Sequence, residues 1–487
     1  MLLLTSVLYL PALDSYFVAE DLNHVTFGWS DVVAESTTVG QSTGYRPGTA
    51  LYLAATNALW GRNPSGHHAT AFLLHALVGW LACLVVERVT GDRLLALVAA
   101  VLFVAAPAHT EAVIWLAAAI GTVVSGLLCM IAAWLWVRTD CLPTPATVGG
   151  VAGLYFMALL VKEVAAPLPL LLVLLDWQTG RLAPKPITAT RHLLRRYWPF
   201  VVVLGLYVIA YWRSGALGHA ASYGVNLDAS LTQLTELWAA YARDLFRPAS
   251  TFLEWRMGTD NWVWLVAFLL LFYLVPAARW AAAWTLLALL PGATAYGPRL
   301  TYLSLVGFSV VIGAVLTGGV RGLLTWAGGL AWPVRPPARV LRALPIVGTG
   351  LLVTGLLVAD VRAVHRDAAN WVEAGKLTWS IPRQARALLP EPPPGAELFF
   401  IDLPDNVNGA YAFRWGINQE VKYVYGDRSL PVRHVIAGTS LAGKVPLESI
   451  PCEAAAPRHF FKYFQQSSQL QLVTPAEFGL VCPVDEK

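Results

Sequence analysis

The sequence predicts a mainly α-helical protein, a polytopic bundle of transmembrane helices followed by a small C-terminal α/β domain. Of its 487 residues, 56% are hydrophobic and only 13% are charged, whereas a soluble domain carries about 25% charged residues. Apolar runs recur up to residue 361, and the composition turns polar after Asp360. These observations exclude an ordinary soluble enzyme, a disordered chain and a nucleic-acid-binding protein.

The apolar runs predict about eleven spans, because a helix needs about 20 apolar residues to cross a bilayer. The first run, 1–18, is interrupted by Pro11 and Asp14, and no Lys or Arg precedes it. It lacks the features of a signal peptide, so a truncated first helix and a short tilted anchor are both open. The further runs are 67–86, 94–106, 113–137, 146–161, 164–176, 198–212, 262–278, 280–296, 300–317 and 343–361.

Lys and Arg predict the orientation, because they are enriched in cytoplasmic loops. With the start of the chain in the cytoplasm, most Lys and Arg lie in cytoplasmic loops and most membrane-proximal carboxylates lie in the opposite loops. The largest cytoplasmic group is Arg181, Lys185, Arg191, Arg195 and Arg196. An odd number of spans then places residues 362–487 outside the cytoplasm. Two long outside loops, about 14–66 and about 213–261, suit helices in the interface plane or a cap packed over the bundle.

Polar residues occupy three short outside connections. These are Pro107-Ala108-His109-Thr110-Glu111, Lys162-Glu163 and Tyr296-Gly297-Pro298-Arg299. Ionisable groups at membrane depth are costly and usually face a cavity or one another. Their convergence with the first outside loop on one face of the membrane predicts a functional site there.

The residue types at this face suit a substrate with a lipid tail and a phosphate head. Lys162, Arg299 and Arg46 would neutralise phosphate oxygens. A carboxylate such as Asp21 would remove a proton from an acceptor hydroxyl as the lipid phosphate leaves. This chemistry is glycosyl transfer with a general base and electrostatic stabilisation of the leaving group.

An ordered series of motifs resembles the C-type glycosyltransferase superfamily. The nearest similarity is to the membrane half of the transmembrane, tetratricopeptide-repeat O-mannosyltransferases and their bacterial relatives, and it covers residues 1 to about 320. The motifs are Tyr16-Phe17-Val18-Ala19-Glu20-Asp21, Tyr45-Arg46-Pro47, Ala58-Leu59-Trp60-Gly61-Arg62-Asn63-Pro64, Leu74-His75-Ala76, Pro107 to Val113, Leu160-Val161-Lys162-Glu163, and Arg299-Leu300-Thr301-Tyr302-Leu303-Ser304.

The resemblance implies an inverting enzyme with a dolichyl- or undecaprenyl-phosphate monosaccharide as donor and an active site on the outer face. It assigns the first-loop acid to Asp21, with Glu20 replacing an Asp, and Asp14 is a third candidate base. It makes His109 and Glu111 the second-loop site, with Glu163 nearby. Lys162 becomes the phosphate contact and Arg299 the late-helix arginine.

The sequence departs from this family in two further places. Residues 117–121 read Ala-Ala-Ala-Ile-Gly, where relatives often carry an Arg and an Asp. Tetratricopeptide repeats are not found after the membrane half, since the last third shows no 34-residue period. The altered stretch motivates an alternative function, a non-catalytic membrane scaffold or lipid-linked sugar carrier with the same fold. A secondary transporter is a third hypothesis, although no inverted repeat is visible.

Several of these residues have a second interpretation. Asp21, His109 and Glu111 would also suit a divalent cation, Mg or Mn, but the 107–111 connection equally suits a cap for the helix that follows. Lys162 would pair with Glu163 or reach lipid headgroups. His68 and His75, seven residues apart on one helix face, are expected to be packed and hydrogen-bonded.

The last part of the chain predicts an amphipathic helix and Pro-rich linker over 362–394, then an α/β domain over 395–487. Glu397 to Pro404 is predicted to be a buried strand that ends in a turn, and further short strands are predicted over Tyr411 to Phe413, Val421 to Tyr425, His434 to Ile436 and 459–464. In an extracytoplasmic compartment Cys452 and Cys482 are expected to form a disulfide. The lack of any Asn-x-Ser/Thr sequon without Pro, together with the lack of repeats, favours a multi-pass protein of the bacterial inner membrane. The expected acceptor is a protein or a glycan.

Overall fold

The computed structural model describes residues 1–37, 44–138, 143–182, 186–216, 230–247, 249–257, 260–293, 296–328, 338–436, 444–446, 450 and 457–478. The chain forms two compact units. The first, here the membrane unit, contains Met1–Pro11, Gly28–Thr56 and His67–Arg366. The second, here the C-terminal unit, contains Ala12–Phe27, Asn57–Gly66 and Asp367–Lys487.

Helices make up most of the described chain. The α-helices are α1 (Leu2–Tyr9), α2 (Asp21–His24), α3 (Trp29–Thr37), α4 (Pro47–Trp60), α5 (Pro64–Thr90), α6 (Arg93–Ala105), α7 (Thr110–Ile114), α8 (Leu116–Ala119), α9 (Ser125–Val137), α10 (Pro145–Val161), α11 (Leu168–Gln178), α12 (Pro186–Arg213), α13 (Leu231–Leu245), α14 (Ala249–Met257), α15 (Asn261–Leu274), α16 (Arg279–Ala288), α17 (Ser304–Gly328), α18 (Ala338–Leu388) and α19 (Ile417–Tyr425). The strands are β1 (Glu397–Ile401), β2 (Asn406–Val407), β3 (Ala410–Tyr411), β4 (Val432–Ile436), β5 (Lys444–Pro446), β6 (Arg458–Phe464) and β7 (Gln469–Val473).

The helices identify an integral membrane protein, but the predicted count of eleven spans is not confirmed. Within the described ranges, four helices are long and apolar enough to cross a membrane: Pro64–Thr90, Leu116–Val137, Ser304–Thr325 and Ala343–Leu388. Two bent pairs, Arg93–Ala105 with Pro107–Ile114 and Asn261–Leu274 with Pro276–Gly292, raise the number to six if each pair is one span. Each bent pair breaks at a proline, Pro107 or Pro276, because proline removes a helical hydrogen bond and bends or ends the helix.

An aromatic cluster forms part of the membrane unit's core. The His75 ring on α5 makes a 2.8 Å hydrogen bond through Nδ1 with the Tyr302 hydroxyl. Phe103 on α6 packs edge-on against Tyr302, with 5.5 Å between ring centroids. Thus His75 is packed and hydrogen-bonded, in agreement with the sequence prediction for this residue.

A buried carboxylate links three further helices of this unit. Asp176 on α11 has no exposed surface. It accepts hydrogen bonds from the Trp136 indole on α9 at 3.0 Å and from the Tyr197 hydroxyl on α12 at 2.7 Å. Arg196 pairs with it at 2.8 Å, which supplies the counter-charge that a buried carboxylate requires.

The C-terminal unit contains the second half of α18 and a five-stranded sheet. At 51 residues, α18 is about 75 Å long by the helical rise, so it continues well beyond a hydrocarbon core of about 30 Å. The sheet order is β5-β4-β1-β6-β7, with β1 parallel to β4 and β6, and β7 antiparallel to β6. Each face of the sheet carries one stacked pair of rings, Phe399 on Phe460 and Phe400 on Phe461.

The mainly helical class and the small C-terminal sheet confirm the coarse prediction, but one predicted strand is wrong. Val421 to Tyr425 belongs to α19, whose buried residues Ile417, Glu420, Val421 and Val424 follow helical spacing. Gly416 and Gly426, both at positive φ, bound this helix. Strand β3 covers only Ala410–Tyr411. Cys452 and Cys482 lie outside the described residues, so their pairing stays a prediction.

Candidate functional site

Two loops of the membrane unit meet through a forked ion pair. Arg46 immediately precedes α4, and Glu163 follows α10 by two residues. The Arg46 guanidinium donates through Nε to Glu163 Oε2 at 3.1 Å and through Nη2 to Oε1 at 2.6 Å. The Thr49 hydroxyl donates to the Val161 carbonyl at 2.7 Å, so the start of α4 is fixed on the end of α10. Such two-pronged pairs are among the strongest polar contacts in proteins.

A second ion pair joins the 107–111 connection to the turn before α17. Arg299 lies in the short helical turn Pro298–Thr301 and pairs with Glu111 on α7. Its guanidinium also lies over the Trp115 ring, 5.4 Å from the ring centroid. Both charged side chains are largely covered, with 28% and 12% of their surfaces exposed.

Lys162 lies beside these pairs and forms no ion pair with another described residue. Its ammonium donates to the Thr122 hydroxyl at 3.2 Å, and the residue is only 8% exposed. Across the described part of the chain, no carboxylate lies within ion-pair distance of it. The alternative that Lys162 pairs with Glu163 is therefore not observed, because Glu163 is held by Arg46.

The local backbone makes room for this lysine. Residues Ile120–Val124 form a π-helical turn between α8 and α9, a feature often found at functional sites. A Cβ atom at position 121 would lie 2.7 Å from Cδ of Lys162, so any larger residue there would require the lysine stem to shift. The stretch that departs from the resembled family thus receives the side chain of Lys162.

The charged groups form one electrostatic cluster, here the cation cluster: Arg46, Glu111, Lys162, Glu163 and Arg299. Burial is the largest effect on Lys162 and, with the charges of Arg299 and Arg46, lowers its pKa to about 7 against the opposing effect of Glu163 and Glu111. When Lys162 is protonated, three cations face two carboxylates. The excess positive charge suits an anion such as a phosphate.

Tyr207 on α12 adds a polar group to this cluster that the sequence analysis missed. Its hydroxyl interacts electrostatically with Glu163 and Arg46, and the residue is 5% exposed. No other described residue accepts or donates a hydrogen bond to that hydroxyl. Thr122 was missed as well. The available signal was weak, since both residues lie within apolar runs, where a polar side chain tends to face a cavity.

The candidate base residues belong to the C-terminal unit. Asp21 begins α2 and is 3% exposed, and its Oδ2 accepts a hydrogen bond from the Val18 amide at 3.3 Å. Glu20 precedes it directly. Asp14 accepts a 2.7 Å hydrogen bond from the Ser65 hydroxyl. All three carboxylates therefore lie within the C-terminal unit. Of these, Asp14 already accepts a hydrogen bond from the Ser65 hydroxyl.

His109 has a different environment from the one the sequence suggested. It has no exposed surface, and its ring lies 4.6 Å from that of Phe103 and 4.7 Å from that of Tyr302. This is a core packing position, and the site role expected for His109 stays a prediction. Among the described residues, no group of three or more His, Cys, Asp and Glu side chains is arranged to hold a metal ion. A Mg or Mn site formed by Asp21, His109 and Glu111 stays a prediction.

The helical bundle thus identifies an integral membrane protein, and the cation cluster is its candidate functional site. No protein-family model and no curated protein matches the chain. Crystal structures of ArnT from Cupriavidus metallidurans are similar. The form bound to undecaprenyl phosphate has a TM-score of 0.48 and 12% identity over 95% of this chain and 92% of that one. The apo form has a TM-score of 0.46 and 12% identity over 94% and 91%.

At 12% identity and with TM-scores below 0.5, these similarities define neither a donor nor an acceptor for this chain.

Proposed function

We propose that this protein is an integral membrane glycosyltransferase. It moves a monosaccharide from a polyprenyl-phosphate donor to an acceptor hydroxyl on the extracytoplasmic face of a bacterial inner membrane, with inversion at the sugar. The observation that carries the proposal is Lys162, a buried amine with no carboxylate partner among the described residues, coupled to the Arg46–Glu163 and Arg299–Glu111 pairs. A buried charge without a partner is costly, and a phosphate would supply the missing anion.

The cation cluster acts on the leaving group. When the bond between the sugar C1 and the phosphate oxygen breaks, its electrons remain on that oxygen, and a singly charged phosphodiester becomes a doubly charged monoester. The Lys162 ammonium donates to this phosphate, and the two guanidiniums add positive potential. Donors that are already in place where charge develops lower the barrier without reorganisation.

A first-loop carboxylate acts on the acceptor. The acceptor hydroxyl attacks C1 from the side opposite the leaving phosphate, which inverts the configuration, and its proton passes to Asp21 or Glu20 as general base. Asp14 is the third candidate, but it already accepts a hydrogen bond from Ser65. Divalent cations are not required by this scheme, and no step depends on one.

The proposal is tested with purified protein in lipid nanodiscs and a panel of undecaprenyl-phosphate monosaccharides with hydroxyl acceptors. We expect acceptor-dependent release of undecaprenyl phosphate and an inverted product. Tight binding of these lipids without turnover of any of them would favour the scaffold or carrier alternative. Uptake of a soluble solute into proteoliposomes would favour a transporter.

The affinity of the protein for undecaprenyl phosphate is expected to fall as pH rises above neutrality. Burial lowers the pKa of Lys162 to about 7, and a bound phosphate raises it again, so binding above pH 7 requires uptake of a proton. The dissociation constant should increase by about tenfold per pH unit between pH 7 and pH 9. Measurement by lipid displacement in wild type and Lys162→Met tests this, and an equal pH dependence in the two proteins would contradict it.

A further inference from the structure

We infer that the C-terminal unit positions the first-loop carboxylates for catalysis, and that Glu420 is the central positioning residue. This inference rests on the proposed function, because it takes Asp21 or Glu20 as the base. It assigns a role to the polar residues of α18 and α19, which the reaction scheme above does not use.

The first observation is a buried charge network around Glu420. This carboxylate has no exposed surface. Its Oε1 accepts a 2.7 Å hydrogen bond from the Tyr16 hydroxyl, and its Oε2 pairs with Arg62. Arg62 also donates to the Tyr16 hydroxyl at 3.1 Å. Arg383 on α18 lies 3.5 Å from Oε1. One carboxylate of α19 thus holds a residue from each of the two first-loop segments of this unit, 12–27 and 57–66.

Direct backbone contacts fix the residues that lead to the acidic pair. The Ala19 amide donates to the Ala412 carbonyl at 2.9 Å. The Thr378 hydroxyl donates to the Phe17 carbonyl at 2.7 Å, and the Ser15 hydroxyl donates to the Trp371 carbonyl at 3.2 Å. The segment from Ser15 to Ala19 is therefore held by α18 and by the strand region before α19.

The conformation held in this way is one that the segment would not adopt alone. Ala19 has a φ of +45°, in the left-handed region that residues with a Cβ rarely occupy. Gly416, at the start of α19, lies against it, and a Cβ atom at 416 would be 2.4 Å from the Ala19 carbonyl oxygen. Strained backbone persists only where surrounding contacts determine it. Here the strained residue directly precedes Glu20 and Asp21.

A displaced base loses proton transfer but does not alter the phosphate contacts. The cation cluster belongs to the membrane unit, and none of its residues is in the Glu420 network. Loss of Glu420 should therefore affect turnover far more than donor binding. A purely structural role for this network would instead lower the amount of folded protein without separating kcat from KM.

The test compares Glu420→Ala, Glu420→Gln and Tyr16→Phe with Glu397→Gln, which removes a carboxylate from an ion pair with Arg458 inside the sheet. Full-length proteins are studied in nanodiscs by hydrogen–deuterium exchange and by steady-state kinetics. In Glu420→Ala, amide exchange over 15–24 should increase by at least about tenfold, as expected for a locally released segment. Its kcat should fall by about 10- to 100-fold, the effect of a misplaced catalytic group.

KM for the donor should change by less than about threefold in these variants, because the phosphate contacts are intact. Glu420→Gln and Tyr16→Phe should show smaller effects of the same kind, and Glu397→Gln should match wild type. Increased amide exchange over 15–24 with unchanged kcat would overturn the positioning role. Unchanged amide exchange would show that Glu420 does not hold this segment. A wild-type protein that turns over no donor would remove the proposed function, whereas the exchange experiment would still decide whether Glu420 holds the segment.

Discussion

Replacing Asp21 by asparagine is expected to lower kcat by about 10²- to 10⁴-fold, the usual contribution of a general base. Asparagine has nearly the same shape, and its side-chain oxygen can still accept the hydrogen bond that the Val18 amide donates to Asp21. It cannot accept a proton from an acceptor hydroxyl at neutral pH. The variant should therefore fold and insert normally but transfer sugar poorly, as measured by acceptor-dependent release of undecaprenyl phosphate.

Matched variants identify which carboxylate is the base. Glu20→Gln tests the other member of the acidic pair, and Asp14→Asn tests the third candidate, which accepts a hydrogen bond from Ser65. The double variant, with Asp21→Asn and Glu20→Gln, should be inactive and should bind undecaprenyl phosphate like wild type. Full activity in the double variant would rule out a first-loop base at either position.

The sequence was informative about the membrane fold because apolar length and charge are properties of single segments. It also singled out Arg46, Glu111, Lys162, Glu163 and Arg299, since charged residues between apolar runs are costly wherever they occur. The sequence did not predict which of these charged residues pair with each other. Glu163 pairs with Arg46, which is 117 positions away along the chain, and this contact depends on how the start of α4 packs against the end of α10.

Local sequence patterns gave a wrong prediction where the same residues are compatible with both a strand and a helix. Val421 to Tyr425 alternates in the manner of a strand, but Ile417 and Glu420 extend a buried helical face, and the left-handed glycines at both ends complete the helix. Similarly, no feature of Ala19 predicts a positive φ, because this conformation is imposed by contacts with Ala412 and Gly416. Tertiary contacts override local preference at such positions.

Replacing Lys162 by methionine is expected to reduce kcat/KM by about 10²- to 10³-fold, the typical loss when one preorganised donor to a developing negative charge is removed. The affinity for undecaprenyl phosphate should fall by about 10- to 100-fold, because a charge-assisted hydrogen bond is lost. Methionine retains the long unbranched stem that lies against Gly121. Lys376→Met is the matched control, since Lys376 is exposed and pairs with Glu373.

Stability separates a functional role of Lys162 from a structural one. Because its buried amine has only the Thr122 hydroxyl as a hydrogen-bond partner in the described chain, the folded protein carries the cost of desolvating it. Methionine removes that cost, so the unfolding temperature in detergent should stay the same or rise while transfer is lost. An unchanged or higher unfolding temperature together with lost activity is the result expected for a residue that serves function at the expense of stability. A lower unfolding temperature with full transfer activity would instead make Lys162 a packing residue and would remove the observation on which the transferase proposal rests.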